Sequence, residues 1–222
     1  HLLQGDGSAA GIATVRTSPR NGSSSIEPLA KLVHYSPSSS VSIGNINQNT
    51  YSWWRNQQKA STATTGDGFL DEIHNCYNTI GLLTGGPCNL MLMDQVTYEL
   101  ATHAYFQRYR QTNTNANYPF TNFKFLNATA TMDGKVPDPV TPGITGATKG
   151  SIYYLCTQFF RMKYSADRNF ELLKDENGKT FVKPINGDSR IGHLAWMGNT
   201  VCSNRRKQLV HGNIARSLTF SM

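Results

Sequence analysis

The residues of this chain best suited to metal, proton or nucleophile chemistry are its six histidines and four cysteines, and their spacing speaks against all three uses. His74 and Cys76 stand two apart in a segment of helical periodicity, where i and i+2 side chains point to different faces and cannot share one tetrahedral metal. His103 has no carboxylate at i+4. His193 lies in an apolar stretch that reads as a strand, which predicts a hydrogen-bonded structural histidine. No GxSxG, HExxH, phosphate-loop or dinucleotide fingerprint occurs. Cys76, Cys88, Cys156 and Cys202 form no CxxC pair and are expected to be small buried hydrophobes, with disulfides or metal ligation as the alternatives. Asp67 and Asp71 begin a calcium loop without its other ligands. The expectation is no enzyme, no catalytic residue, no metal and no cofactor.

Binding is the other chemistry on offer. Ser203-Asn204-Arg205-Arg206-Lys207 is the densest charge in the chain, and planar guanidinium forks suit carboxylates and phosphates. A solvated basic turn is the plain alternative. Residues 1–150 hold ten Lys and Arg against nine Asp and Glu, whereas residues 151–222 hold eleven against five, so the net +7 belongs to the C-terminal third. A negatively charged partner follows, read through phosphates if it is nucleic acid, since no RNA-reading motif or interleaved aromatic accompanies the run. The cluster Tyr51-Ser52-Trp53-Trp54-Arg55-Asn56 is either a hydrophobic anchor for a neighbouring loop or a contact between subunits. Charged residues make up only 16% of the chain, against about 25% in ordinary domains. That depletion suits either a loop-rich domain or a subunit enclosed by neighbours, because interface cores shed charge. Mean hydropathy is −0.42, and no run approaches the ~18 apolar residues of a spanning helix, so no membrane partner is expected.

The elements that must position these groups are legible in outline. Residues 8–50 are rich in Gly, Ser, Asn and Pro around a short apolar segment from Leu29 to Val33. Asp67 reads as an N-cap, with Asp71 and Glu72 in the first turn and Phe69, Ile73, Cys76, Tyr77 and Ile80 at helical spacing as far as Gly81. Asn89 to Met93 reads as a buried strand feeding a helix capped by Asp94, in βαβ-like packing. Phe123 to Ala130, Ile152 to Leu155, Phe159 to Tyr164 and Arg190 to Met197 read as strands. Residues 111–122 and Asp133 to Gly150 read as loops, and Asp175 to Gly178 as a hairpin turn. The class is mixed α+β without internal repeat.

This order, with two further segments, resembles the major capsid proteins of tailed bacteriophages. Leu2-Leu3-Gln4-Gly5-Asp6-Gly7-Ser8 is similar to the LLxGDGT that follows the long spine helix of that fold. Phe181 to Gln208, FVKPINGDSRIGHLAWMGNTVCSNRRKQ, resembles its closing strands, where KPxNxDxR leads into W.GN..CSNRR. The resemblance implies an α+β fold of the tailed-phage major capsid type, an axial domain plus part of the peripheral domain. Residues 1–8 would end the spine-helix region with its GDG turn, 9–160 form the axial-type domain and 161–222 the returning peripheral strands. The family's N-terminal arm, long two-stranded loop and spine helix are absent, implying the C-terminal part of a longer chain.

The implied function is structural: self-assembly as hexamers and pentamers into an icosahedral capsid around double-stranded DNA, in the virion and assembled in the host cytoplasm. The partners would be other copies of the chain, packaged DNA bound non-specifically, and scaffolding, portal or decoration proteins. Arg205, Arg206, Lys207, Trp53 and Trp54 would then be candidate subunit-interface or DNA-facing residues. An encapsulin-like shell around protein cargo, a basic DNA-binding module and, more remotely, a hydrolase using His193 or His74 are the rival readings.

Overall fold

The computed structural model describes residues 28–83, 85–108, 123–134, 136, 149–174, 178–182, 187 and 189–220. The GDG turn at 5–7, the loops at 111–122 and 137–148, most of the turn at 175–178 and the segment Lys183 to Asn186 lie outside them. The described chain divides into two units, residues 1–160 with 202–222, and residues 161–201.

The described part of the first unit opens with a short helix α1 (Leu29–Leu32) and a small hairpin, β1 (Ser42–Ile43) with β2 (Ile46–Asn47). There follow β3 (Gln57–Ala60), helix α2 (Gly66–Gly81), β4 (Leu90–Met93), helix α3 (Gln95–Arg108), β5 (Phe123–Phe125), β6 (Ala128–Met132) and β7 (Lys149–Leu155). One six-stranded sheet unites them, in the order β3, β12 (Leu209–Ala215), β7, β4, β6, β5. The alternation of each central strand sorts its side chains into two cores. Met91, Met93, Ile152, Tyr154 and Leu209 face α2 and α3, whereas Leu90, Leu92, Tyr153, Leu155 and Val210 face α1 and the hairpin.

Helix α2 buries Phe69, Leu70, Ile73, Cys76, Tyr77 and Ile80, the stripe expected from spacing. Its cap differs from the expectation: Thr65 accepts the Gly68 N–H at 3.2 Å, and Asp67 sits in the first turn. Threonine, already extended, takes the capping role because Thr65 is held there by its bridge to Thr219. Strand β4 enters α3 through Asp94, whose carboxylate accepts from Thr97 Oγ1 at 2.5 Å, Ser151 N at 3.3 Å and Arg216 Nη1 at 2.6 Å. The parallel pairing of β4 with β6 across α3 confirms the βαβ-like crossover. Gly150 lies where a Cβ would collide with Thr97 Oγ1, so α3 approaches β7 more closely than any side chain permits.

Other boundaries move. Phe123 to Ala130 is a hairpin, not one strand: Leu126 turns the chain at φ 53 and β5 pairs antiparallel with β6. Strand β12 belongs to the central sheet, so residues 202–222 join the first unit rather than an expected 161–222 domain; their register with β7 leaves them nowhere else.

The second unit holds β8 (Phe160–Leu172), β9 (Phe181–Val182), β10 (Ile191–Gly192) and β11 (Leu194–Cys202), with β8 paired to β11 and β9 to β10. The expected strand from Arg190 to Met197 is interrupted at His193, which is exposed and gives its carbonyl to Leu173 N at 2.8 Å. Exposed and between two strands, it does not fit the expected hydrogen-bonded structural histidine of an apolar strand.

All four cysteines are buried free thiols. Burial pushes the thiols of Cys76 and Cys88 up to about 12 and that of Cys202 to about 11, and raises Cys156. Thiolate is the reactive form. A disulfide-forming thiol reagent at mildly alkaline pH is expected to leave the native chain unmodified and to label all four thiols in denaturant; rapid native labelling would contradict this burial.

Candidate functional site

The basic run occupies a 3-10 turn, Arg205–Lys207, just before β12. Three residues per turn send neighbouring side chains in different directions. Arg205 and Lys207 go inward, each 1% exposed, while Arg206 goes out to solvent. The turn is fastened from beneath by Gln208, whose amide accepts from Cys156 N at 2.8 Å and donates to Asn204 O at 3.2 Å.

Arg205 enters a cage of neutral oxygens. Its Nε donates to Leu32 O at 2.7 Å and Nη1 to Trp54 O at 3.1 Å; Nη2 donates to Gln48 Oε1 at 3.0 Å and Asn56 Oδ1 at 3.1 Å. The guanidinium carbon stands 5.7 Å from the Trp54 ring centroid, a cation–π contact. Burial pulls the guanidinium down to about 10, so it remains charged at neutral pH. Asn56 in turn donates to His34 O at 2.8 Å and accepts His34 N at 3.0 Å, and Gln48 donates to Ser39 Oγ at 2.9 Å. One cation thus ties the end of α1, the loop after the small hairpin and the aromatic cluster to the root of β12.

Lys207 points the other way, to the C-terminus of α2. Its Nζ donates to Ile80 O and Leu83 O, both at 2.7 Å, and to Gly86 O. Helix C-termini carry unpaired carbonyls and partial negative charge, and a cation there answers both. Gly85, at φ +113, takes a left-handed conformation beneath the Phe159 ring and lets the loop close over the ammonium.

These placements correct the expectation for two candidates. Arg205 and Lys207 are internal staples and reach neither DNA nor a partner from this surface. Trp54 is half-buried over Arg205. Trp53 is 58% exposed, and with Arg55, Gln58 and Arg206 it lines an open cleft of roughly 430 Å³. Of the expected residues, only Trp53 and Arg206 meet at a surface. The burial of Arg205 and Lys207 also withdraws from the surface two of the eleven Lys and Arg of residues 151–222 on which a DNA-binding module was based.

A cluster that spacing did not bring together lies across β3, α2 and β12. His211 Nε2 stands 3.2 Å from Glu72 Oε2, which also accepts Ser61 Oγ at 2.6 Å; Glu72 Oε1 accepts Thr62 N at 2.9 Å. His211 is fully buried and Ser61 nearly so. A nucleophile relay requires the hydroxyl on the imidazole and the imidazole on the carboxylate. Here the hydroxyl is on the carboxylate and His211 Nδ1 has no hydrogen-bond partner, so the trio is a buried clamp. Its partners are 139 residues apart, which is why no local pattern announced it.

Burial alone would push the Glu72 carboxyl up, but the hydrogen bonds from His211, Ser61 and Thr62 outweigh it and hold the group at about 2. Because that lies below the unfolded value of 4.5, the clamp's contribution is full above pH 4.5 and is lost as pH falls through about 2. The unfolding free energy from denaturant titration is expected to decline over that window by an amount on the order of 2 kcal/mol, allowing for residual solvent at the carboxylate. Glu72→Gln should be less stable at neutral pH and lose this part of the acid slope; an unchanged slope would mean the clamp does not form.

Comparison with known proteins places this arrangement in a fold. No family model and no curated protein matches the chain. Among solved structures, the capsid asymmetric unit of cyanophage A-1(L) superposes with a TM-score of 0.50 at 12% identity, covering 80% of this chain and 56% of that one. The chain has a phage-capsid fold. Two other solved structures match at lower similarity. They are the holo-SrpI encapsulin complex from Synechococcus elongatus (TM-score 0.46, 13% identity, 75% of this chain and 55% of that one) and Gordonia phage Cozz (0.40, 15%, 87% and 58%). The chain spans little more than half the length of each of these three chains.

Proposed function

We propose that this chain forms part of the major subunit of an icosahedral capsid that closes around double-stranded DNA as hexamers and pentamers. The observation that carries the reading is the fold shared with the cyanophage capsid subunit across four fifths of this chain. The first unit corresponds to the axial-type domain, and residues 161–201 to the returning peripheral strands.

The surface of the second unit supports the reading. Strand β8 alternates Met162, Tyr164, Phe170 and Leu172 with Arg161, Lys163, Asp167 and Glu171, the pattern of a strand with one buried face. Yet Tyr164 is 59% and Phe170 67% exposed, and Leu194 on β11 is 62% exposed. A two-stranded ribbon does not hold itself in water with its apolar side uncovered. Cover supplied within an assembled particle resolves the mismatch.

Assembly is the mechanism, with many individually modest interfaces closing under symmetry. Shell maturation would be a rigid-body rearrangement, with no catalysis by this chain. Any contact with packaged DNA is to phosphate and salt-sensitive. Scaffolding, portal or decoration proteins would join the same particle, in the virion after assembly in the host cytoplasm. Negative-stain electron microscopy of the native particle, with intact-mass analysis of its major protein, tests this. Icosahedral shells whose subunit contains this sequence are expected; a small homogeneous oligomer would sink the reading.

A further inference from the structure

The outer edge of the central sheet ends at the cleft where Arg206 and Trp53 meet. Among the described residues, strand β3 pairs only with β12, in parallel: Gln57 N donates to Gln208 O and Ser61 N to Gly212 O, both at 2.8 Å, with Lys59 in register opposite His211. The odd positions therefore bond inward, and the N–H and C=O groups of Gln58 and Ala60 point away from β12 with no partner among the described residues. Both residues are exposed. Open edges are ordinarily blunted by shortness, charge or a covering loop.

This edge runs from the cleft that Trp53, Arg55 and Arg206 line, and none of the residues lining that cleft is acidic. Arg55 gives Nε and Nη2 to Gln48 O and Asn49 O, whereas Arg206 makes no bond within the described chain. We infer that the edge of β3 and this cleft form a strand-addition site for an extended acidic segment of another polypeptide. The segment's backbone pairs with Gln58 and Ala60, one of its carboxylates meets the Arg206 fork, and an apolar side chain lies on Trp53. Main-chain pairing supplies the register and the charge supplies the selectivity. A nucleic acid strand could use the guanidinium and the indole but would leave the outward amides of β3 unmatched.

The test is a titration of the nitrogen-15-labelled chain with the peptide acetyl-Thr-Val-Asp-Val-Thr-amide, followed by amide resonances. Shifts at Gln58, Ala60 and the Trp53 indole are expected. Binding should weaken about tenfold when Asn replaces the peptide's Asp, or in Arg206→Ala, the worth of one charge-assisted pair. Gln58→Pro, which removes an outward N–H without touching the β12 ladder, should abolish binding. Unchanged binding in Gln58→Pro would overturn strand addition, and equal affinity in Arg206→Ala would overturn the carboxylate contact. Absence of shifts at millimolar peptide, or shifts of these resonances by oligothymidylate alone, would overturn the site as a peptide site.

Discussion

Arg205→Ala is expected to destabilise the first unit by about 4 kcal/mol, whereas Arg206→Ala, its neighbour, is expected to change stability by less than about 0.5 kcal/mol. The large figure has two sources. Truncation empties a buried volume against Trp54, and it leaves the oxygens of Leu32, Trp54, Gln48 and Asn56 without the donor they share. Arg205→Lys should recover only part of the loss, because a single ammonium cannot span four acceptors arranged for a planar fork. Denaturant midpoints of the three variants check this. A small, similar loss at Arg205 and Arg206 would show that both side chains face water.

Lys207→Met should cost about 3 kcal/mol and, unlike Arg205→Ala, act mainly on one helix end. Methionine fills nearly the same space, so the effect isolates three charge-assisted hydrogen bonds to carbonyls at the end of α2. The amides of Leu82 and Leu83, bonded to Asn78 O and Ile80 O in that last turn, should exchange hydrogen faster than those around Phe69 at the start of the helix. A uniform acceleration along α2 would indicate global destabilisation and no capping role. Together the two variants predict that stability alternates along three consecutive basic residues, large, negligible, large.

The sequence made local features visible and left long-range ones hidden. Periodicity marks α2 and the burial of its apolar stripe because that pattern is written within one segment. The strand and capped helix at Leu90 to Arg108 were equally legible. Turn chemistry failed at Leu126, where an apolar residue takes a left-handed conformation that sequence assigns to Gly or Asn. Charge reasoning failed at Arg205 and Lys207 because composition counts cations without the carbonyls that receive them, and those carbonyls come from 121 to 173 residues earlier. The clamp of Glu72 and His211 was hidden for the same reason. The capsid fold itself was approached through order and a resemblance in the closing strands, part of which lies outside the described residues.

The place of β12 in the central sheet governs how the molecule is made. It lies between β3 and β7, and the turn that leads into it supplies the buried cations Arg205 and Lys207. It is also the last of the six strands to be synthesised. Until it emerges from the ribosome, β3 has no partner, β7 has one bare edge, and the end of α2 has no ammonium. Closure of such distant pairings is slow, and the waiting strands are open to unwanted association. Closure of the central sheet is therefore tied to the synthesis of its last-made strand, and every pairing that β12 completes waits on that one segment.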